Sequence, residues 1–312
     1  MSFVAKTKTE ATPLDSLLAQ LDGIILGKPT QVRLALACLL ARGHLLIEDL
    51  PGMGKTTLAH ALAAASGLKF KRIQFTSDLL PADIIGVSIY RADDHRFEFH
   101  PGPVFSQVVL ADEINRATPR AQSALLEAME ERQVSVEGET HVLPESFFVI
   151  ATQNPRHLIG TFPLPESQLD RFLLRIEMGY PDRKAERELL KGRDRRQLYA
   201  ELQPSLSETK LLHLQQQVAQ VNASDALLEY VQDLLAASRS SKLFINGLSP
   251  RAGLGLVQAA RAWAFIHGRS MVLPEDVQAI AASVMVHRLH SAASGQPESE
   301  LVQQLIDSVP IP

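Results

Sequence analysis

The segment from His44 to Thr57 carries the strongest chemical signal, because an apolar run leads into a turn with two glycines and then into Lys55 and Thr56. Gly52 and Gly54 lack Cβ atoms, so the backbone can curl there and point its N–H groups at phosphate oxygens. A helix that begins after the turn adds free N–H groups and the positive end of its dipole. The pattern predicts a phosphate-binding loop, with Lys55 at the β- and γ-phosphates and the Thr56 hydroxyl toward Mg²⁺.

One position departs from the full phosphate-loop pattern. G-x-x-x-x-G-K-[ST] has a glycine five positions before Gly54, and Asp49 stands there. The core from Pro51 to Thr56 is intact, so we expect nucleotide binding to survive. A chance glycine-rich turn is the alternative, and the preceding strand argues against it. The residues expected to contact the nucleotide are Gly52, Met53, Gly54, Lys55, Thr56 and Thr57.

An acidic pair, Asp112 and Glu113, ends a short apolar run that starts at Val108. Ligands of open α/β sheets bind at the carboxyl ends of strands. Asp112 suits Mg²⁺, usually through a water, and Glu113 suits accepting a proton from an attacking water. A strand that ends in Asp-Glu is by itself more often solvated than catalytic, but a phosphate loop in the same sheet favours catalysis.

The elements that must position these residues alternate along the first 180 residues. Apolar runs and helical patterns follow one another, which is typical of an α/β architecture with a mainly parallel sheet. Thr118 as N-cap and Pro119 at the first helical position predict a helix between the third and fourth strands. The candidate strands are His44–Asp49, Phe70–Phe75, Gln107–Ala111, Phe147–Thr152 and Phe172–Ile176.

Two further segments alternate with period 2 and predict β-hairpins outside this sheet. Their turns are expected at 92–95 and 137–139. The residues expected to pair across them are Val87 and Ile89 with Phe97 and Phe99, and Val134 and Val136 with Thr140 and Val142.

Strand signals end near Tyr180, and helical patterns remain. We therefore predict two domains, an α/β domain over residues 1–185 that includes an N-terminal helix, and a smaller all-helical domain with a C-terminal tail over 186–312. The boundary falls between 181 and 206. The predicted helices of the second domain are Ser207–Val221, Asp225–Ser238, Pro250–His267 and Pro274–Leu289.

Composition excludes several classes of protein. The 312 residues are 46% hydrophobic and 21% charged, an ordinary globular balance. A net charge of -4 counts against a dedicated nucleic-acid binder. The single cysteine, Cys38, excludes an intramolecular disulfide. The first residues have no apolar signal region, and no run is long enough to span a membrane, so we expect a cytoplasmic protein.

Four runs resemble the MoxR family of AAA+ ATPases, a helix-2-insert and pre-sensor-1 hairpin subgroup of P-loop NTPases. The resemblance covers roughly residues 24 to 290 and is far more specific than the phosphate loop alone. It implies a nucleotide-binding α/β domain with a helical lid, and ATP with Mg²⁺ as ligands. The four runs are Gln74–Gly86, Asp112–Ala117, Ala151–Pro155 and Leu164–Phe172.

The resemblance also implies roles for single residues. Asn154 matches the sensor that orients the attacking water, although a turn-forming Asn before Pro155 is the plainer interpretation. Arg171 matches the arginine finger that reaches a neighbouring subunit's nucleotide, with Arg175 as the fallback and a surface pair with Asp170 as the alternative. Arg251 matches the second sensor, on the lid. In the segment from Ile24, the residues expected to line the adenine pocket are Ile25 and Gly27.

As a whole, the family pattern implies a homo-oligomeric ring, a hexamer, that remodels or activates a protein client. It also implies a partner with a von Willebrand factor A domain. The hairpins would point toward the pore, or would be ordinary surface hairpins. A second hypothesis is a binding module that ATP switches with little turnover, and its only local support is Asp49 in place of the first glycine of the phosphate-loop pattern. A DNA motor is a third, and acidic hairpin tips disfavour it because they would repel phosphates. The tip residues are Asp93, Asp94, Glu137 and Glu139.

Overall fold

The computed structural model describes residues 12–93, 95–154, 160–192 and 202–311. Numbered in chain order, the strands in these ranges are β1 (Leu45–Glu48), β2 (Phe70–Gln74), β3 (Gly86–Arg91), β4 (Arg96–Pro101), β5 (Val108–Asp112), β6 (Gln133–Val136), β7 (Glu139–Val142), β8 (Phe148–Gln153) and β9 (Leu174–Ile176). The α-helices are α1 (Pro13–Ile24), α2 (Pro29–Leu40), α3 (Lys55–Ala65), α4 (Pro81–Ile85), α5 (Pro119–Glu131), α6 (Glu166–Leu169), α7 (Arg183–Leu190), α8 (Glu208–Ala219), α9 (Asp225–Ser240), α10 (Pro250–Ile266), α11 (Pro274–Met285) and α12 (Ser299–Ser308).

Five parallel strands form the central sheet in the order β2-β5-β8-β1-β9. The predicted α/β fold is confirmed, and each predicted strand is present within two residues at either end. Strands β5 and β8 are buried at every residue, which explains why they form continuous apolar runs. The parallel order brings the carboxyl ends of β1, β5 and β8 together at one edge of the sheet.

Helices cover both faces of this sheet. Leu45 and Ile47 of β1 belong to the core on one face, and Leu46 belongs to the core on the other. Helix α5 covers the second face and begins at Pro119, as predicted. Thr118 is the N-cap residue, as predicted, but its side chain makes no capping hydrogen bond. The fixed φ of Pro119 and the hydrogen bond from the Gln122 N–H to the Thr118 carbonyl mark this helix start.

The second hairpin, β6–β7, is present, but its predicted pairing was wrong by one residue. Val134 lies opposite His141, and Val136 lies opposite Glu139. The turn contains only Glu137 and Gly138, at φ 51° and 87°. Positive φ at both positions is the geometry of a tight two-residue turn, whereas the prediction had assigned three residues to it.

The first hairpin, β3–β4, turns between Arg91 and Arg96, as predicted, but its pairing also differs from the prediction by one residue. Val87 lies opposite His100, and Ile89 lies opposite Glu98. The Phe99 ring of this hairpin stacks on His141 of the other hairpin, with ring centroids 4.0 Å apart. The two hairpins therefore contact each other.

The predicted acidic tips differ in their surroundings. Asp93, Glu137 and Glu139 are exposed, while Asp94 lies outside the described residues. Arg91 and Arg96 face each other just below the first tip, which partly balances its charge.

The helices of the second domain pack directly onto the first domain. Leu256 of α10 and Ile280 of α11 belong to the same hydrophobic core as Leu174 of β9. Cys38 is buried in this core, and burial raises the pKa of its thiol. The structure differs from the prediction in two ways here. Helix α11 ends at Met285 rather than Leu289, and α12 was not predicted. No helix within the described ranges is long and apolar enough to cross a membrane.

A buried histidine joins β8 and α5 at the start of β1. His44 Nδ1 accepts a hydrogen bond from the Val149 N–H at 3.0 Å, and Nε2 lies 3.3 Å from the Met129 carbonyl oxygen. Burial, with a smaller contribution from nearby arginines, lowers the pKa of His44 to about 3. His287 is also buried, and burial is the main reason why its pKa lies well below the usual value.

These two histidines predict acid sensitivity. Their folded-state pKa values lie below the unfolded value near 6.5, so their contribution is complete above pH 6.5 and is lost as the pH falls toward 3. Together they should lower the free energy of unfolding by about 2–3 kcal/mol between pH 7.5 and 5.5, as measured by urea unfolding. A double variant, His44→Gln with His287→Gln, should lack this part. An equal pH dependence in both proteins would contradict the assignment.

Candidate functional site

The glycine turn after β1 has the conformation that the sequence predicts. Gly52 and Gly54 have φ of 84° and 88°. A Cβ at either position would have open space, so the positive φ, not crowding, requires glycine. Helix α3 begins at Lys55 without a side-chain cap, so its first N–H groups face the turn as an anion site.

The Lys55 ammonium lies at the centre of this edge of the sheet, with only 7% of the residue exposed. It donates to the Asp49 carbonyl at 2.5 Å and to Asn154 Oδ1 at 3.1 Å. Burial lowers the pKa of Lys55, and the carboxylates around it oppose that shift. A cation held on neutral oxygens is suited to an incoming phosphate.

Asp49, which replaces the first glycine of the pattern, has a structural task. Its φ is not positive, so no glycine is required there. Its Oδ1 accepts the Leu50 N–H at 2.7 Å, and its Oδ2 accepts the Gly179 N–H at 2.6 Å. The carboxylate thus joins the turn to the segment after β9. The presence of Asp49 was the one feature that favoured a nucleotide-switched binding module with little ATP turnover. Its structural role explains that residue without such a function.

Asp112 is buried at the end of β5 with both carboxylate oxygens engaged. Oδ1 accepts the Thr152 hydroxyl at 2.6 Å. Oδ2 accepts two bonds from the Arg72 guanidinium, at 2.5 and 3.0 Å. These contacts hold the carboxylate in a fixed orientation.

Glu113 follows in a left-handed conformation, with φ 57° and ψ 48°. This region is sparsely populated by residues other than glycine, and such strain persists where the surroundings fix it. Its N–H donates to the Thr152 hydroxyl at 2.9 Å. Its Oε2 accepts from Gln74 at 3.1 Å and from Arg116 at 2.8 Å.

Asn154 joins the phosphate loop to the acidic pair. Its Nδ2 donates to Glu113 Oε1 at 3.0 Å, while its Oδ1 accepts from Lys55. Asn115 fixes the backbone here by donating to the Asn154 carbonyl at 3.1 Å. The plainer interpretation of Asn154 as only a turn residue does not account for these side-chain bonds.

A cavity lies between the end of α1, the glycine turn and the segment after β9. The predicted nucleotide contacts that line it are Ile25, Gly52, Met53, Gly54 and Thr57. Gly27 does not line it; a Cβ there would lie 2.8 Å from Ala185 Cβ, so Gly27 allows α7 to pack closely. Met178 and Leu189 close the cavity on the other side.

The predicted arginines do not line this cavity. Arg171 Nη2 is 2.7 Å from Glu130 Oε2, and Arg251 Nη1 is 2.9 Å from Glu130 Oε1. One carboxylate therefore holds both guanidinium groups. Arg175 is 9% exposed at its side chain and pairs with Glu48 and Glu177 instead.

Three residues of this site were not predicted from the sequence, namely Arg72, Gln74 and Thr152. Arg72 Nη2 donates to Gln74 Oε1 at 2.6 Å, which continues the contacts from Asp112 to Glu113 along β2. A period-2 pattern of long polar residues in an otherwise half-exposed strand was the available signal.

The donor set at the sheet edge suits Mg²⁺. Within the described ranges no group of three or more His, Cys, Asp or Glu residues is placed to hold a metal. Mg²⁺ in nucleotide sites uses one or two protein oxygens, with phosphates and water completing its shell. Asp112 and the half-buried Thr56 hydroxyl are of that kind.

Comparison with known proteins gives two matching families. Residues 44–174 match the ATPase family associated with various cellular activities (AAA), and residues 236–308 match an AAA lid domain.

Relatives match along nearly the whole chain. It is 44% identical to the uncharacterized protein YeaC of Bacillus subtilis, over 96% of this chain and 95% of that protein. It is 40% identical to Chaperone MoxR1 of Mycobacterium tuberculosis, over 97% and 83%. The crystal structure of a candidate ATPase from Cytophaga hutchinsonii superimposes with a TM-score of 0.86 and 34% identity, over 96% of this chain and 95% of that one.

Proposed function

Because the chain belongs to the MoxR family of AAA+ ATPases, we propose that it hydrolyses ATP at the interfaces between subunits of a ring. The observation that carries this proposal is the side chain of Asn154, which joins the phosphate-loop Lys55 to Glu113. Phosphoryl transfer needs the phosphate-binding lysine, the general base and the residue that orients the attacking water close to one another.

The residues have distinct roles in the proposed reaction. Lys55 and the N–H groups at the start of α3 hold the phosphates, and Ile25 and Met53 line the pocket for the adenine. Glu113 accepts the proton of the attacking water, which Asn154 orients against the γ-phosphate. Asp112 and Thr56 would hold Mg²⁺, which would supply positive charge to neutralise the β- and γ-phosphates.

Arg171 acts on the nucleotide of a neighbouring subunit, and Arg251, as the second sensor, couples the lid to the state of the nucleotide. Neither lines its own subunit's cavity, and both lie on one surface beside Glu130. A guanidinium there offsets charge that develops during phosphoryl transfer. Arg175 is buried among carboxylates, so Arg171 is the better candidate for the finger.

The conformational work would remodel a protein client. The name of the relative Chaperone MoxR1 supports a client of this class. We propose a hexameric ring and a partner with a von Willebrand factor A domain, as in the family pattern. The exposed apolar side chains of β3 and β4, such as Ile89 and Phe97, fit a protein client better than a nucleic acid.

Assembly tests this proposal. With Mg²⁺ and a slowly hydrolysed ATP analogue, mass photometry should show a ring that is absent or less populated without nucleotide. Lys55→Ala should prevent this response, because it removes the cation that holds the phosphates. A wild-type chain that remains monomeric with saturating nucleotide would overturn the ring mechanism.

A further inference from the structure

The backbone around Arg171 is held by an arginine of the lid. Arg171 lies in the turn at 170–173, between α6 and β9. Arg288 Nε donates to Asp170 Oδ1 at 2.6 Å. Its Nη2 donates to the carbonyls of Asp170, at 3.2 Å, and Phe172, at 2.7 Å. The guanidinium thus forms hydrogen bonds to the residues on both sides of Arg171.

Other residues and atoms of the lid also contact the turn at 170–173. Arg288 Nη1 donates to the Leu173 carbonyl at 3.2 Å and to the carbonyl of Val284 in α11, the helix that ends three residues before Arg288. His287 Nε2 lies 3.0 Å from the Phe172 carbonyl oxygen. The turn is therefore fixed by a part of the chain more than a hundred residues away.

The energetics favour a single geometry. The Arg288 side chain is only 6% exposed, and burial lowers its pKa while Asp170 opposes the shift. A buried guanidinium is stable only when its donors are satisfied, and its planar fork fixes the angles between the acceptors. Lysine would keep the charge but could not donate to four carbonyls and a carboxylate at once.

We propose that Arg288 is a positioning residue for Arg171, so that the lid sets where this finger lies on the subunit surface. This inference rests on the proposed action of Arg171 on a neighbouring nucleotide. Arg251 comes from the same lid and shares Glu130 with Arg171. Movement of the lid would therefore move both arginines together.

Mixed assemblies test the proposal, with ATP turnover as the measurement. Arg288→Lys should lower kcat by about tenfold to a hundredfold, because the finger is misplaced rather than removed. Co-assembly with Glu113→Gln should restore turnover, because that subunit supplies an intact finger to an intact pocket. Co-assembly with Arg171→Ala should not, because no subunit then supplies one. Asp170→Asn should behave in the same way if Arg288→Lys does not fold.

The control is Arg269→Lys, which weakens an ion pair with Asp276 inside the lid and does not touch the turn at 170–173. It should retain turnover per folded subunit. If Arg171→Ala and Glu113→Gln fail to restore each other, both the proposed function and this inference fail. If they do restore each other, two results would overturn the inference alone. One is wild-type ATP turnover by both Arg288→Lys and Asp170→Asn. The other is restoration of turnover when either variant is co-assembled with Arg171→Ala.

Discussion

Replacing Glu113 by glutamine should lower steady-state ATP turnover by about 10²- to 10⁴-fold and leave nucleotide binding intact. The amide has the shape of the carboxylate and can still accept from Asn154 Nδ2, but it cannot take a proton from water. The variant should therefore accumulate in the nucleotide-bound state.

Two measurements check this result. Turnover is followed by phosphate release, and binding by fluorescence of a labelled nucleotide. Glu229→Gln, an exposed carboxylate on α9, serves as the control and should retain turnover. Wild-type hydrolysis by Glu113→Gln in the assembled protein would show that the base lies elsewhere.

Replacing Arg171 by alanine should lower turnover by about 10³-fold or more, the range observed when an arginine finger is removed. The subunit's own loop and Glu113 would remain intact, so its affinity for nucleotide should change little. This combination separates a residue that acts across an interface from one that binds nucleotide within its own chain.

Mixing provides the sharper test of that role. In equal mixtures of Arg171→Ala and Glu113→Gln subunits, about a quarter of the interfaces in a head-to-tail ring pair an intact pocket with an intact finger. Turnover should therefore rise toward a quarter of the wild-type value. If the mixture stays as inactive as its components, Arg171 does not serve a neighbouring site.

Local motifs predicted the parts of the site that are local. The turn at Gly52 and Gly54 and the strand that ends in Asp112 each depend on consecutive residues, and both have the expected conformation. The predicted pairing of β6 with β7 was wrong because the turn is one residue shorter than predicted, and one residue decides which side chains lie opposite each other.

Contacts between distant segments could not be predicted in this way. Arg72 meets Asp112 only because β2 and β5 are neighbours in the sheet, and Arg288 meets the 170–173 turn only because the lid packs against β9. Charge and side-chain type marked these residues as polar, but not as partners. The structural role of Asp49 likewise depends on Gly179, far along the chain.

The position of β2 has a consequence for solubility. In the described residues it pairs only with β5, so its other side is an edge of the sheet. Such edges invite added strands from other chains, and charged side chains discourage this. β2 carries exposed Lys71 beside Arg72. The side chain that orients Asp112 therefore also discourages the addition of a foreign strand beside β2.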